Sequence, residues 1–319
     1  MGGQYLQRVY KDHLSGYHPP SEKGPRELES IPVKVDVDTG EVLSEKPLYI
    51  FEPANMGLLM CIDDKQVGKG SYTILSNPVT GKVALLIESV DRETLKKALA
   101  RFPNLGTVLQ ICADMSPTYL KLVREAMPHA KVSIDKFHVI RYAYDVLADI
   151  RGQLQKQLKE QLSGGRDRTA KDEKLLSGLE LLKRCRYLVN RSKEDWSKGQ
   201  AAMMERLFSM FPELTTAYTL VQQFKQWYSS SNIGAGFLKI DRELHQWYEN
   251  TEKSKVATFF EGFIKMVRKH EEKITNYFTS GLTNAKAENL NGKIQRFIAN
   301  NYGIKNKDFT MFRIATYFA

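Results

Sequence analysis

Apolar and polar positions follow two different periods along this chain. Between residues 56 and 134, apolar runs of strand length are separated by turns and by two amphipathic helical stretches. This pattern predicts three antiparallel strands, a helix, a strand, a second helix and a last strand. From Lys136 to about Ser280, apolar residues recur every three or four positions, which predicts an almost entirely helical region.

Aspartates stand where three of the predicted strands end. The first strand ends in Asp63 and Asp64, the fourth in Asp114 and the fifth in Asp135. Ligands and metals tend to collect at the carboxyl edge of such a sheet. Adjacent strand residues point to opposite faces, so Asp63 and Asp64 cannot both face the same site.

A fourth acidic residue, Glu288, lies in a predicted helix near the carboxyl end. On a helical wheel one face of this helix is apolar, and it comprises Leu290, Ile294, Phe297 and Ile298. Glu288, Asn291 and Gln295 are predicted to lie on roughly the opposite face. Glu288 is therefore expected to point away from the packed side of the helix.

Four motifs carry a family resemblance. In chain order they are Ile62-Asp63-Asp64, Ala113-Asp114-Met115-Ser116-Pro117-Thr118-Tyr119, Ile134-Asp135-Lys136-Phe137-His138-Val139 and Ala287-Glu288-Asn289-Leu290-Asn291-Gly292-Lys293-Ile294. This order resembles the DDE transposases of bacterial insertion sequences of the ISL-three group, from about Asn55 to Phe318. The resemblance implies an α/β fold: an RNase H-like mixed five-stranded sheet with flanking helices and a large helical insertion before the catalytic glutamate.

The resemblance also implies that Asp63, Asp114 and Glu288 form a metal-binding catalytic triad. Asp63 is chosen over Asp64 because the matched motif places its aspartate directly after the isoleucine. Mg²⁺ and Mn²⁺ favour carboxylate oxygens, and two such ions can assist displacement at a phosphodiester. Taken alone, each aspartate also fits a helix cap. The four motifs in their shared order favour the triad, with two ions per site.

Other residues are supporting candidates only. Asp135 and His138 fit a cap and first turn of the long helix that follows, and this structural interpretation is favoured over a role in positioning DNA or water. DNA contacts are predicted at Asn291, Lys293 and Arg296 beside the metals, and at Arg186 and Trp196 in the insertion. For the insertion, helix packing and solvation are favoured over DNA contact.

The predicted regions are four. Residues 1–55 form an amino-terminal extension with a short helix (Gln4 to Leu14), a polar loop (Gly16 to Arg26) and a hairpin at 33–43. Residues 56–136 begin the RNase H-like core, 137–280 form the helical insertion, and 281–319 complete the core. The extension shows no helix-turn-helix or zinc finger pattern, so a separate DNA-binding polypeptide is considered as a partner.

Composition agrees with a nucleic-acid partner. The 319 residues include 47 Lys plus Arg and 37 Asp plus Glu, a formal net charge of +10. No apolar stretch approaches the roughly 20 residues needed to span a bilayer, and no secretory segment is evident, so no membrane role is expected and the predicted location is the cytoplasm and its nucleoid. Cys61, Cys112 and Cys185 form no CxxC pair and are expected to be reduced core residues.

The sequence thus leads to one hypothesis and two alternatives. The hypothesis is a transposase that cuts double-stranded DNA at element ends and joins the ends to target DNA, acting as a homo-oligomer on paired ends. One alternative is an RNase H-like nuclease without strand transfer. The other is a catalytically inert DNA-binding protein derived from a transposase, which ranks lower because all three candidate carboxylates are present.

Overall fold

A computed structural model describes residues 10–11, 15–17, 29–162, 170–300 and 306–319. Contacts divide the chain into two units, Met1–Asp135 with Leu282–Ala319 and Lys136–Gly281. The sequence predicts the helical insertion at 137–280. The short helix predicted at Gln4 to Leu14 and the polar loop at Gly16 to Arg26 lie largely outside the described residues.

The first unit is built on a mixed sheet. Its strands are β1 (Ser30–Val35), β2 (Val42–Phe51), β3 (Leu59–Val67), β4 (Gly70–Asn77), β5 (Lys82–Ile87), β6 (Gln110–Ala113) and β7 (Lys131–Ile134). Their order across the sheet is β1-β2-β5-β4-β3-β6-β7. β3, β4 and β5 are antiparallel, and β6 and β7 run parallel to β3. The predicted α/β class and strand directions are confirmed.

The number of strands differs from the prediction, because the sheet has seven strands rather than five. The predicted hairpin exists, with Val35 opposite Val42. Its second strand continues through an apolar run to Phe51, which pairs with Leu85 of β5. This pairing covers the edge of β5, whose backbone groups would otherwise be open to unwanted pairing. The hairpin is therefore part of the sheet.

Twelve α-helices complete the described part of the chain. They are α1 (Arg92–Leu99), α2 (Pro117–Ala126), α3 (Lys136–Gln161), α4 (Ala170–Arg184), α5 (Lys198–Met210), α6 (Pro212–Trp227), α7 (Phe237–Glu252), α8 (Ala257–Lys269), α9 (Glu271–Thr275), α10 (Tyr277–Ser280), α11 (Ala285–Asn300) and α12 (Lys307–Phe318). α1, α2, α11 and α12 belong to the sheet unit, and the other eight belong to the helical unit.

The sheet is covered by helices on both faces. α1 and α2 contribute Leu95 and Leu122 to a core that includes Ile62. On the other face, α11 and α12 contribute Leu290 and Met311 to a second cluster. This two-sided burial explains why the central strands are almost continuously apolar. It also gives successive residues at the strand ends two different environments.

The helical unit has an aromatic core around Phe224. The ring centroid of Phe224 lies 5.3 Å from that of Trp227, 4.9 Å from that of Trp247 and 5.0 Å from that of Phe263. The indole N–H groups of Trp227 and Trp247 donate to backbone carbonyls at 3.0 and 2.9 Å. These tryptophans are packing residues, because both are buried and both indole N–H groups are satisfied by the backbone.

Candidate active site

Three aspartates stand side by side at the carboxyl edge of the parallel strands. Ile62 of β3 lies opposite Ala113 of β6, which in turn lies opposite Ile134 of β7. The next residues along these strands are Asp63, Asp114 and Asp135. The hydrogen bonds between β6 and β7 continue as far as these aspartates, since the Asp135 N–H donates to the Ala113 carbonyl at 2.8 Å. Neighbouring strands are about 4.8 Å apart, so the three carboxylates start from adjacent positions.

Asp63 and Asp64 face opposite sides of the sheet. Two residues before Asp63, Cys61 packs with Leu282 and Ala287 on the side of α11. Asp63 shares this side by strand alternation and is half-buried. Asp64 is exposed and lies opposite Thr73 of β4. The structure therefore places Asp63, and not Asp64, on the side of the helix that carries Glu288.

α11 and the segment before it are bonded to the strands. The side-chain Nδ2 of Asn291 donates to Asp63 Oδ2 at 2.9 Å. The backbone N–H of Asn284, just before the helix, donates to Asp135 Oδ1 at 3.1 Å. The expectation that Asn291 lies on the outer face is wrong, because its side chain is only 3% exposed. Asn291 stands at the margin of the apolar stripe, where the carboxylate of Asp63 provides a polar partner.

Glu288 is exposed, as expected, and lies one turn before Asn291 on α11. Its backbone N–H donates to the carbonyl of Asn284. In the described part of the chain, the carboxylates of Asp63, Asp114 and Glu288 do not form a set whose ligand atoms all lie within 4.8 Å of one another. The bond from Asn291 to Asp63 attaches the helix that carries Glu288 to the strand of Asp63, but among the described residues the three carboxylates do not form a coordination shell.

The donors at this edge suit a hard divalent cation. Carboxylate and amide oxygens are the ligands that Mg²⁺ and Mn²⁺ prefer. In addition, the side-chain amide of Asn284 and the Oδ1 of Asn291 are buried without a hydrogen-bond partner among the described residues. Buried polar atoms normally have partners, so these groups fit a site that binds a polar ligand.

The electrostatics of the surrounding residues reflect the clustered carboxylates. The hydrogen-bonded Cys61 thiol and burial both raise the pKa of Cys112 well above its usual range, and Asp135 and Asp63 add to the rise. All three cysteines of the chain are free and buried, in agreement with the prediction. They lie in the interior and offer no exposed thiol.

Tyr119 is a further neighbour that the sequence did not single out. Burial raises its pKa, and the carboxylates of Asp64, Asp114 and Asp63 add to the rise. Its hydroxyl lies 3.0 Å from Thr73 Oγ1, which donates to the Ser89 carbonyl at 2.6 Å. Its position early in the helix after Asp114 was the available signal, but an aromatic residue at that position usually indicates packing.

The supporting residues on α11 and α3 have different settings. Lys293 and Arg296 are exposed on α11. His138 is half-buried near the start of α3, with its ring 5.9 Å from that of Phe137. Asp135 directly precedes α3, at the position expected for its cap.

The two candidates in the helical unit also differ. Arg186 is exposed, and its guanidinium lies 5.3 Å from the ring centroid of Tyr187. Trp196 packs against Tyr218 with ring centroids 5.5 Å apart, and its Nε1 donates to the Leu188 carbonyl at 3.1 Å. Packing is therefore the role that the structure supports for Trp196.

One group in the helical unit does bring metal-ligating atoms within 4.8 Å of one another: Asp241, His245 and Glu271. His245 Nε2 lies 3.5 Å from Asp241 Oδ1 and 3.9 Å from Glu271 Oε1. The His245 side chain is 56% exposed. Exposed groups of this kind form weak surface ion pairs when the histidine is protonated.

Among the residues that the structure describes, no helix combines the length and apolar character that a membrane span requires.

Comparison with known proteins gives a consistent result. A family model described as "Transposase", of the ISL-three group, matches residues 60–314. The transposase for insertion sequence element IS1001 of Bordetella parapertussis is 22% identical over 265 residues, which are 81% of this chain and 60% of that protein. The chain thus spans about three fifths of the length of this relative. No solved structure matches significantly.

Proposed function

Because the chain belongs to the transposase family of the ISL-three group, we propose that it cuts DNA at the ends of an insertion sequence and joins those ends to target DNA. The observation that carries this proposal is the row of in-register aspartates at the sheet edge, with the helix of Glu288 bonded to Asp63. Cutting and joining are both in-line displacements at a phosphodiester, and this chemistry suits carboxylate-held divalent ions.

In this proposal Asp63, Asp114 and Glu288 would hold two Mg²⁺ or Mn²⁺ ions. When bound, such ions would supply activation of the attacking oxygen and stabilisation of the charge on the leaving oxygen. The protein's own part is to orient the ligands. Asn291 fixes one oxygen of the Asp63 carboxylate, and the Ser116 N–H donates to Asp114 Oδ1 at 2.8 Å.

The proposed reaction has two steps. First, water attacks the phosphorus at the element end; the bond from phosphorus to the 3′ oxygen breaks, leaving a 3′ hydroxyl and a 5′ phosphate. Next, that 3′ hydroxyl attacks a phosphodiester of target DNA and loses its proton. A new phosphodiester forms, and the target strand leaves with a free 3′ hydroxyl.

In this proposal, exposed lysine and arginine side chains bind the DNA. Lys293 and Arg296 are exposed on the helix that carries Glu288, and we assign to them contacts with phosphates of the bound DNA. The net charge of +10 favours approach of a polyanion. A homo-oligomer on paired ends, and a separate polypeptide that recognises the ends, stay predictions.

The experiment is a cleavage and strand-transfer assay on labelled DNA carrying the element ends, with Mg²⁺ or Mn²⁺. Asp114→Asn should reduce both products by about a thousandfold or more, because several kcal/mol of charge stabilisation are lost. Asp64→Asn is the matched control, since it removes an exposed neighbouring charge on the other face, and it should stay within about twofold.

Other outcomes discriminate among the alternatives. Undiminished joining by Asp114→Asn would overturn the assigned mechanism. Nicked DNA without joined product, under conditions where both substrates bind, would favour the nuclease. DNA binding without any cleavage and without Mn²⁺ binding would favour the inert DNA-binding protein.

A further inference from the structure

The helical unit is inserted between two residues that touch each other. The chain leaves the sheet unit after Asp135 and enters it again at Leu282. The Asn284 N–H then donates to Asp135 Oδ1 at 3.1 Å, across 149 positions of sequence. Asp135 is 1% exposed and Asn284 is 0% exposed. This bond therefore closes the base of the insertion inside the sheet unit.

A second bond fixes α11 two turns further along. Asn291 donates to Asp63, on the strand at the other end of the row of aspartates. Seven residues of helix span about 10 Å. Two strand spacings, from β7 to β3, are about 9.6 Å. The length of helix between the two bonded residues thus equals the distance from β7 to β3. This match indicates that α11 runs across the three parallel strands.

This alignment determines the level of Glu288. Glu288 lies between Asn284 and Asn291 along the helix, as Asp114 lies between Asp135 and Asp63 along the sheet edge. Packing agrees, because Ala287, the residue before Glu288, belongs to the cluster formed with Cys61 and Cys112. The glutamate consequently stands level with the middle aspartate.

We infer that Asp135 and Asn291 are positioning residues that align α11 with the strand edge, so that Glu288 is held level with Asp114. This inference rests on the proposed function, in which Glu288 and Asp114 are metal ligands. Asp135 would then act through the Asn284 backbone rather than as a ligand. Its burial fits this role, because a buried carboxylate is costly unless it accepts hydrogen bonds. The partial positive charge at the start of α11 favours the same contact.

Two substitutions at Asp135 separate positioning from ligation. Asp135→Asn keeps an oxygen that can accept the Asn284 N–H and removes the charge, whereas Asp135→Ala removes the acceptor. Hydrogen exchange of the peptide covering 284–291 should become at least about tenfold faster in Asp135→Ala and stay near wild type in Asp135→Asn. Exchange across β3 to β5 serves as the folding control.

Mn²⁺ affinity, measured by calorimetry on the full chain, is the second readout. Asp135→Ala should weaken binding by about tenfold and Asp135→Asn by less than about threefold, as for a residue outside the coordination shell. Equal, severe loss of Mn²⁺ binding in both variants would show that Asp135 is itself a ligand. Unchanged exchange and affinity in Asp135→Ala would overturn the inference.

Asn291→Ala provides an independent arm if Asp135→Ala does not fold. It removes the donor to Asp63 and should weaken Mn²⁺ binding by about 10- to 100-fold. Asn291→Asp should weaken binding less, since the added charge attracts the ion while it repels Asp63; affinity at the wild-type level in Asn291→Ala would contradict the positioning role. Exchange does not depend on catalysis, so failure of strand transfer and failure of helix alignment remain distinguishable.

Discussion

Substitution of Asp114 by Asn should change stability in opposite directions with and without a divalent ion. Asp114 occupies the middle of the row, flanked by Asp63 and Asp135 on neighbouring strands. Asn preserves the oxygen that accepts the Ser116 N–H at 2.8 Å. The substitution therefore removes one negative charge and leaves the local backbone contact in place.

The expected size follows from the strand spacing. Two unit charges about 5 Å apart interact by about 3 kcal/mol at an effective dielectric constant of about 20. Asp114, which takes part in both repulsions, is half-buried rather than enclosed, so solvent reduces each repulsion to about 0.5–1 kcal/mol. Relief of two such repulsions should stabilise the metal-free variant by about 1–2 kcal/mol. The Tm of a chain of this length should rise by about 1–2 °C for each kcal/mol.

With Mn²⁺ bound, wild type should be more stable than Asp114→Asn. An ion present at about 100 times its Kd stabilises the folded protein by about 2.7 kcal/mol. Wild type should gain this increment, and Asp114→Asn should lose most of it because a ligand is missing. The stability curves of the two proteins should therefore cross as Mn²⁺ is added.

The assay is thermal unfolding in EDTA and over a Mn²⁺ titration, with Asp64→Asn as the control. The control should respond to Mn²⁺ as wild type does. If Asp114→Asn is less stable than wild type in EDTA and still gains the full Mn²⁺ increment, the assignment of Asp114 as a metal ligand is refuted.

Three further predictions concern the scaffold. Asp91→Ala should lower the free energy of unfolding by about 1 kcal/mol, because the Asp91 side chain caps α1 by accepting the Thr94 N–H. That bond lowers the pKa of Asp91. The difference in unfolding free energy from wild type, measured in urea, should therefore be full above about pH 4 and shrink below it. Phe224→Ala, at a site that is 0% exposed, should cost about 3–5 kcal/mol in the same assay. Gly281→Ala should lower the free energy of unfolding by about 1–2 kcal/mol, because the φ of Gly281 is +69°. Gly292→Ala in α11 should raise it by about 0.5–1 kcal/mol, because an added Cβ meets nothing within 4 Å. Calorimetric melting of both variants tests these opposite signs.

The strands and their polar ends could be predicted because the information is local. An apolar run that stops at an aspartate, as at Ile134 and Asp135, specifies both a buried strand and its end. The sheet membership of β2 could not be read in this way. Its apolar run is only four residues long, from Leu48 to Phe51, and it becomes a core strand by pairing with β5. That pairing is a tertiary property.

The burial of Asn291 was mispredicted for a related reason. A helical wheel sorts residues by their own polarity, and an asparagine at the margin of an apolar stripe is assigned to water. In the structure its partner, Asp63, lies 228 positions away in the sequence. A buried polar side chain is stable when it is hydrogen-bonded. No periodicity within α11 contains that information.

The position of the inserted unit explains why the sheet unit needs side-chain bonds at this edge. When a short loop joins a strand to a helix, the loop itself limits where the helix can lie. Residues 136–281 intervene here between β7 and the return to α11, and the entropic penalty of closing a long segment changes only slowly with its length. Connectivity therefore does little to set the register of α11 against the strands. Contacts must set it instead, and a one-residue displacement along the helix would rotate Glu288 by about 100° relative to Asp114. The bonds of Asp135 and Asn291 fix α11 at two positions along its length. Together they constrain the rotation and the translation of the helix more strongly than either bond alone.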